Sequence, residues 1–109
     1  EPTTAVPSST INVSLSVDLV REEAVITNLG STVADISRWV LVSVKGNQRF
    51  TFPQNFKLAP GQSVTVASGP AAQPQPPAIL RWTNEFIWSN SGDPGELRDR
   101  NGNLVATAP

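Results

Sequence analysis

Apolar and polar side chains alternate along residues 11–19. Ile11, Val13, Leu15, Val17 and Leu19 fall on one parity, and Asn12, Ser14, Ser16 and Asp18 on the other. A period of two puts five apolar side chains on one face of a strand, whereas the same spacing on a helix would scatter them around its surface. After the charged corner Arg21-Glu22-Glu23, residues 24–28 predict a second strand that Gly30 closes. Residues 35–45 hold the densest apolar run, with Ile36, Trp39, Val40, Leu41, Val42 and Val44. Both parities are apolar from Trp39 to Val42, which predicts a central strand covered on two sides.

Turn chemistry divides the rest of the chain. Gly46-Asn47 predicts a hairpin turn into a strand over 48–52, which Pro53 ends. Ala59-Pro60-Gly61-Gln62 predicts a type II turn, since Pro presets φ and Gly accepts a positive φ. A strand over 63–67 follows, then a loop over 70–78 that holds four Pro in nine residues. Short strands are expected at 79–82, 86–88, 96–100 and 103–106, with a turn at 91–95 and an Asn101-Gly102 hairpin. No segment shows a 3.6-residue period, and Val, Ile and Thr make up 26 of the 109 residues. The predicted architecture is an all-β sandwich of about eight short strands over residues 11–109. Residues 1–10 are Pro-, Ser- and Thr-rich with too little apolar surface to offset ordering, and predict a linker.

Composition removes several kinds of function. The chain has no Cys and no His, so no disulfide, thiolate metal site or imidazole base can be assembled from it. No cofactor or metal is expected, and the redox compartment is left open. A net charge of −1 supplies no field toward nucleic acid or anionic lipid. No stretch approaches the roughly 20 apolar residues of a membrane span, and no signal-peptide pattern is present. With no Met and a start at Glu1, the chain is expected to be a processed product or a segment of a larger protein.

The candidate chemistry is sparse. The carboxylates beyond the linker are Asp18, Glu22, Glu23, Asp35, Glu85, Asp93, Glu96 and Asp99. A glycosidase-like pair among them is disfavoured, because most fall at turns or on polar faces. Asp99, Asn101 and Gly102 mimic part of a calcium loop, but the later Glu is missing, so a tight hairpin capped by side-chain bonds is the expectation. Trp39 and Trp88 are expected in the core. Trp82, between Arg81 and Thr83, is the Trp most open to showing a face, although partial burial under the 70–78 loop is favoured. Arg98 and Arg100, with Arg81 or Lys57, could form a small basic spot. Interspersed Glu96 and Asp99 favour instead a charge-mixed edge that discourages strand aggregation.

A set of motifs in order then points to a family: Asp35-Ile36-Ser37-x-Trp39-x-Leu41, Phe50-Thr51-Phe52-Pro53, and Leu58-Ala59-Pro60-Gly61-Gln62-Ser63-Val64. Trp82 follows, then Ile87-Trp88-Ser89-Asn90-Ser91-Gly92-Asp93 and Leu97-x-Asp99-x-Asn101-Gly102. This succession, over about residues 11–106, resembles the lamin tail domain. One departure is Arg38, where the family more often has Gly before the Trp.

The resemblance implies an immunoglobulin-like module without an active site. In lamins such a module docks nuclear proteins, chromatin and DNA; in prokaryotes it accompanies secreted enzymes and surface proteins. The Pro/Ser/Thr linker suits the second setting. The expected function is therefore a non-catalytic interaction module of a larger, bacterial, extracytoplasmic protein, monomeric as an isolated domain. Trp88, Gly92, Asp93, Leu97, Asp99 and Gly102 would be structural, and the protein or cell-surface partner stays open. The alternative is a carbohydrate-binding module of a secreted hydrolase, with Trp82 and Asn84 as the sugar platform.

Overall fold

A computed structural model describes residues 12–70, 74–75, 78–83, 85, 87–88 and 92–108. The linker expected at 1–10, and Ile11, Asn84, Phe86, Ser89, Asn90 and Ser91, lie outside the described residues. Ten short strands and no helix are formed among the described residues. They are β1 (Val13–Asp18), β2 (Glu23–Asn28), β3 (Ala34–Asp35), β4 (Val40–Ser43), β5 (Gln48–Thr51), β6 (Lys57–Leu58), β7 (Ser63–Ser68), β8 (Ile79–Thr83), β9 (Gly95–Arg98) and β10 (Leu104–Ala108).

Two four-stranded sheets have the orders β1-β2-β7-β8 and β10-β9-β4-β5, and β3 pairs with β6 as a small third sheet. All pairings are antiparallel except β7 with β8. That parallel pair explains the Pro-rich segment. Parallel neighbours cannot be joined by a tight hairpin, so the chain must travel back along the sheet before β8 begins. Gln75 and Ile79 exchange backbone hydrogen bonds on the way, at 2.9 Å each.

The alternating pattern is realised in β1, β2 and β7, with Val17 and Leu19 half-buried at the end of the first run. Val13 and Leu15 of β1, Ala24 and Ile26 of β2, and Val64 and Val66 of β7 point inward. They meet Leu41, Leu97 and Trp88 from the opposite side. Phe52, Ile26, Ile36, Leu41, Leu58 and Leu97 are fully buried. Each such side chain stabilises by roughly 1.5–3 kcal/mol. The ion pair of Arg21 with Asp18 at 3.8 Å is exposed, and such pairs contribute about 0–1 kcal/mol. Stability therefore resides in the apolar interior. Gly95 lets the sheets approach, because a Cβ there would lie 3.0 Å from Val17 Cγ2 and 3.3 Å from Leu15 Cδ2.

Several local expectations are corrected. The single strand expected over 35–45 is two, β3 and β4, separated by a turn. Trp39 N donates to Ile36 O at 3.1 Å, and Arg38 sits at φ 62°. A positive φ at the third position makes this a type II turn, where Gly is favoured. Trp39 is buried in the core, as expected, but precedes β4 rather than belonging to a two-sided strand. Val42, on the opposite parity from Leu41, is buried on the outer face and is not part of the central apolar cluster.

Ile87 and Trp88 are buried but outside any strand. β6 had no sequence signal because two residues carry no period. In the β4–β5 hairpin the positive φ falls on Asn47 (φ 53°) rather than on Gly46. The turn at 59–62 matches its sequence chemistry: Gln62 N donates to Ala59 O at 2.9 Å and Gly61 has φ 80°.

Candidate interaction surface

Three polar residues continue a buried parity, and each has a fastening role. Glu22 shares the inward parity of Ala24 and Ile26 and is 4% exposed. Its carboxylate accepts the backbone N–H of Ile87, the N–H of Trp88 at 3.1 Å and the Ser68 hydroxyl at 3.2 Å. It thus replaces the strand partner that residues 87–88 lack. Asp93, at the same parity as Gly95 and Leu97, is 1% exposed. It accepts from Ser43 Oγ at 2.7 Å and from Lys45 N at 3.1 Å, tying β4 to the approach of β9. Asn28 is 1% exposed; its Nδ2 donates to Thr32 O at 2.8 Å and Leu58 O at 2.9 Å, and its Oδ1 accepts from Gly30 N at 2.9 Å. The charged-corner reading of Glu22 missed this role, although its parity with Ala24 and Ile26 was visible.

Asp18, Asp35 and Asp99 serve local turns. Asp18 accepts from Val20 N and Arg21 N at 3.1 and 3.0 Å. Asp35 accepts from the Ser37 hydroxyl and from Ser37 N, and these bonds hold its pKa below the ordinary carboxylate value against a smaller desolvation effect. Lys57 and Arg100 nearby lower it further. For Asp99, desolvation alone would raise the pKa, but hydrogen bonds from Asn103, Asn101 and Gly102 outweigh it and hold it low. Asp99 is therefore the cap of the β9–β10 hairpin. Glu96 receives Arg98 Nε at 3.1 Å and Nη2 at 2.9 Å.

The basic spot that the sequence disfavoured does not form as one cluster. Arg98 is engaged by Glu96 and by Gly102 O, whereas Arg100 and Lys57 lie around Asp35. Arg81 belongs to β8 in the other sheet. Trp82 is half-buried, with its ring 5.8 Å from Phe50 and 5.9 Å from Trp88. It joins the β8 edge to the β5 edge across the sandwich. Among the described residues no group of three or more His, Cys, Asp or Glu is placed to hold a metal ion, and no helix is long and apolar enough to cross a membrane.

Of the exposed large apolar side chains Val20, Leu29, Val33, Val44 and Leu104, two share the β2–β3 loop. Leu29 and Val33 are 59% and 57% exposed, four positions apart, on a loop whose base Asn28 holds from inside. Leu29 N also donates to Asn12 O at 2.7 Å. Side-chain and main-chain bonds at its base thus present two large apolar groups from an anchored loop, the usual arrangement of a binding loop on a rigid scaffold.

Two four-stranded sheets packed through inward-facing apolar side chains define a β-sandwich. Within that class, the Lamin Tail Domain family model matches residues 7–108, so the chain belongs to the Lamin Tail Domain family. Comparison with curated proteins returned no match.

Proposed function

We propose that this domain is a non-catalytic docking module of a larger, bacterial, extracytoplasmic protein, and that it meets a protein partner through the β2–β3 loop. The observation that carries the proposal is the exposure of Leu29 and Val33 on a loop pinned by buried Asn28. Single exposed apolar residues are ordinary on protein surfaces. Two on one short anchored loop form a contact whose ordering entropy is already spent on folding. The carboxylates best suited to chemistry by burial, Glu22 and Asp93, are occupied by backbone and hydroxyl donors, in keeping with a module that works by contact.

The test is saturable binding of the purified domain to a cell-envelope fraction, with Leu29→Asp/Val33→Asp as the variant. Binding is expected to weaken roughly tenfold or more, the scale of a lost interface anchor, at an unchanged melting temperature. Unaltered binding by the variant overturns the loop assignment. Saturable quenching of Trp fluorescence by a defined sugar, lost in Trp82→Ala, would replace the docking reading with a carbohydrate-binding one. Turnover in a nuclease or glycosidase assay that Glu96→Gln abolishes would sink the non-catalytic reading.

A further inference from the structure

The β9–β10 hairpin places Asn101 directly before Gly102 at its tip, and both residues are exposed. Gly102 has φ 87°, and nothing lies within 4 Å of where its Cβ would be. Its N–H donates to Asp99 O at 3.0 Å, and Asp99 N donates to Asn103 O at 2.9 Å. Neither Arg100 nor Asn101 has a positive φ, so the tip is a type I turn followed by a left-handed Gly, a three-residue hairpin loop. One side chain fastens it: Asp99 Oδ1 accepts from Asn101 N and Asn103 N at 2.9 Å each, and Oδ2 accepts from Asn103 Nδ2 at 3.2 Å.

An asparagine side-chain amide can be attacked by the next backbone nitrogen, closing a five-membered ring. Glycine in the next position leaves that nitrogen unobstructed, and solvent exposure admits the water that finishes the reaction. In this hairpin the nitrogen is engaged with Asp99 O. In addition, Asn101 must rotate ψ well away from the value near 0° that its turn position requires. The reaction therefore needs the tip to open first, and the Asp99 carboxylate opposes that opening.

We propose that Asn101 is a self-modification site gated by Asp99. In the opened tip, Gly102 N bonds to Asn101 Cγ and the Cγ–Nδ2 bond breaks. The amide proton of Gly102 leaves with the departing nitrogen as ammonia, giving a succinimide. Water then adds to either ring carbonyl and opens the ring to aspartate or isoaspartate, with no change in oxidation state. Isoaspartate adds a methylene to the main chain within the loop that sets the register of β10. The pairing of Leu104 with Arg98 and, past the bulge at Val105, of Ala106 with Leu97 depends on that register. The modified domain would carry one more negative charge and a loosened β10.

Peptide mapping by mass spectrometry with isoaspartate-resolving fragmentation tests this on the domain held at neutral pH. Conversion at Asn101 is expected in urea and roughly tenfold slower in the native domain, the ratio that local opening imposes. Asp99→Ala is expected to raise the native rate roughly fivefold, the equivalent of about one net hydrogen bond. Ser43→Ala, which weakens a distant buried contact, provides the control for general destabilisation and should leave the native rate near that of the wild type. Equal rates in urea and in the native domain, no acceleration in Asp99→Ala, or the same acceleration in Ser43→Ala each overturn the gate. Absence of conversion in urea overturns the site itself.

Discussion

Glu22 combines two features that are unfavourable separately. It has φ 59°, a left-handed conformation that costs a non-glycine residue roughly 1–2 kcal/mol, and it buries a carboxylate. The two belong together: the corner turns the side chain inward, where three donors from Ser68, Ile87 and Trp88 satisfy it. Glu22→Ala would leave the buried amides of Ile87 and Trp88 without an acceptor, each at about 1–3 kcal/mol. A loss of roughly 3 kcal/mol or more is expected in urea unfolding followed by Trp fluorescence. Glu22→Gln, which keeps one oxygen acceptor, should lose less. A loss below about 1 kcal/mol for Glu22→Ala would show that the amides find other partners. Arg38 is a plainer case. Its φ of 62° falls at the position of a type II turn where Gly fits best, so Arg38 keeps the turn at the cost of a left-handed backbone, roughly 1–2 kcal/mol.

Among the elements, the β9–β10 hairpin and the turn after β3 share one device, an aspartate that accepts from the backbone just ahead of it. Asp35 accepts from Ser37 N at 3.0 Å and Asp99 from Asn101 N at 2.9 Å. Both folded pKa values lie below the ordinary carboxylate value. As pH falls, the unfolded chain therefore binds protons first. The stabilisation is complete above the unfolded value of about pH 4 and is lost as pH drops through the lower folded values. The melting temperature is expected to hold from pH 7 to about pH 4 and then decline. Asp35→Asn and Asp99→Asn should each start lower at pH 7 and decline less steeply. An acid limb of unchanged slope in both variants would remove these two groups from the explanation. Of the elements themselves, β1, β2, β5 and β7 were legible because alternation over several residues suffices to define them. The segment at 86–88 was not: an apolar-aromatic run says that residues are buried, whereas only Glu22, 65 residues away from Ile87, says how their amides are satisfied.

Taken whole, the domain carries a net charge of −1; Arg98 is paired to Glu96, and Lys57 and Arg100 lie around Asp35. Such a distribution gives no stripe along which counterions would be released from a phosphate backbone. Fluorescence anisotropy with labelled duplex DNA is expected to show no salt-sensitive binding at physiological ionic strength. A steep fall of affinity with salt concentration would contradict this.

Sequence alone determined the all-β class, the inward faces, the turn at 59–62 and the family motifs. Alternation and turn chemistry act between near neighbours, so they survive in a linear string. The absence of His and Cys likewise excluded their chemistry without any coordinates. Only the tertiary structure decided that β8 lies parallel to β7, that the run at 35–45 breaks at Arg38, and that Arg98 turns to Glu96 while Arg100 and Lys57 lie around Asp35. It also decided the fate of Glu22, Asn28 and Asp93. Their parity marked them as inward-facing, but a buried polar group is tolerable only with partners, and theirs include residues 30 to 66 positions away in the chain. Such pairings exist only once the two sheets have closed.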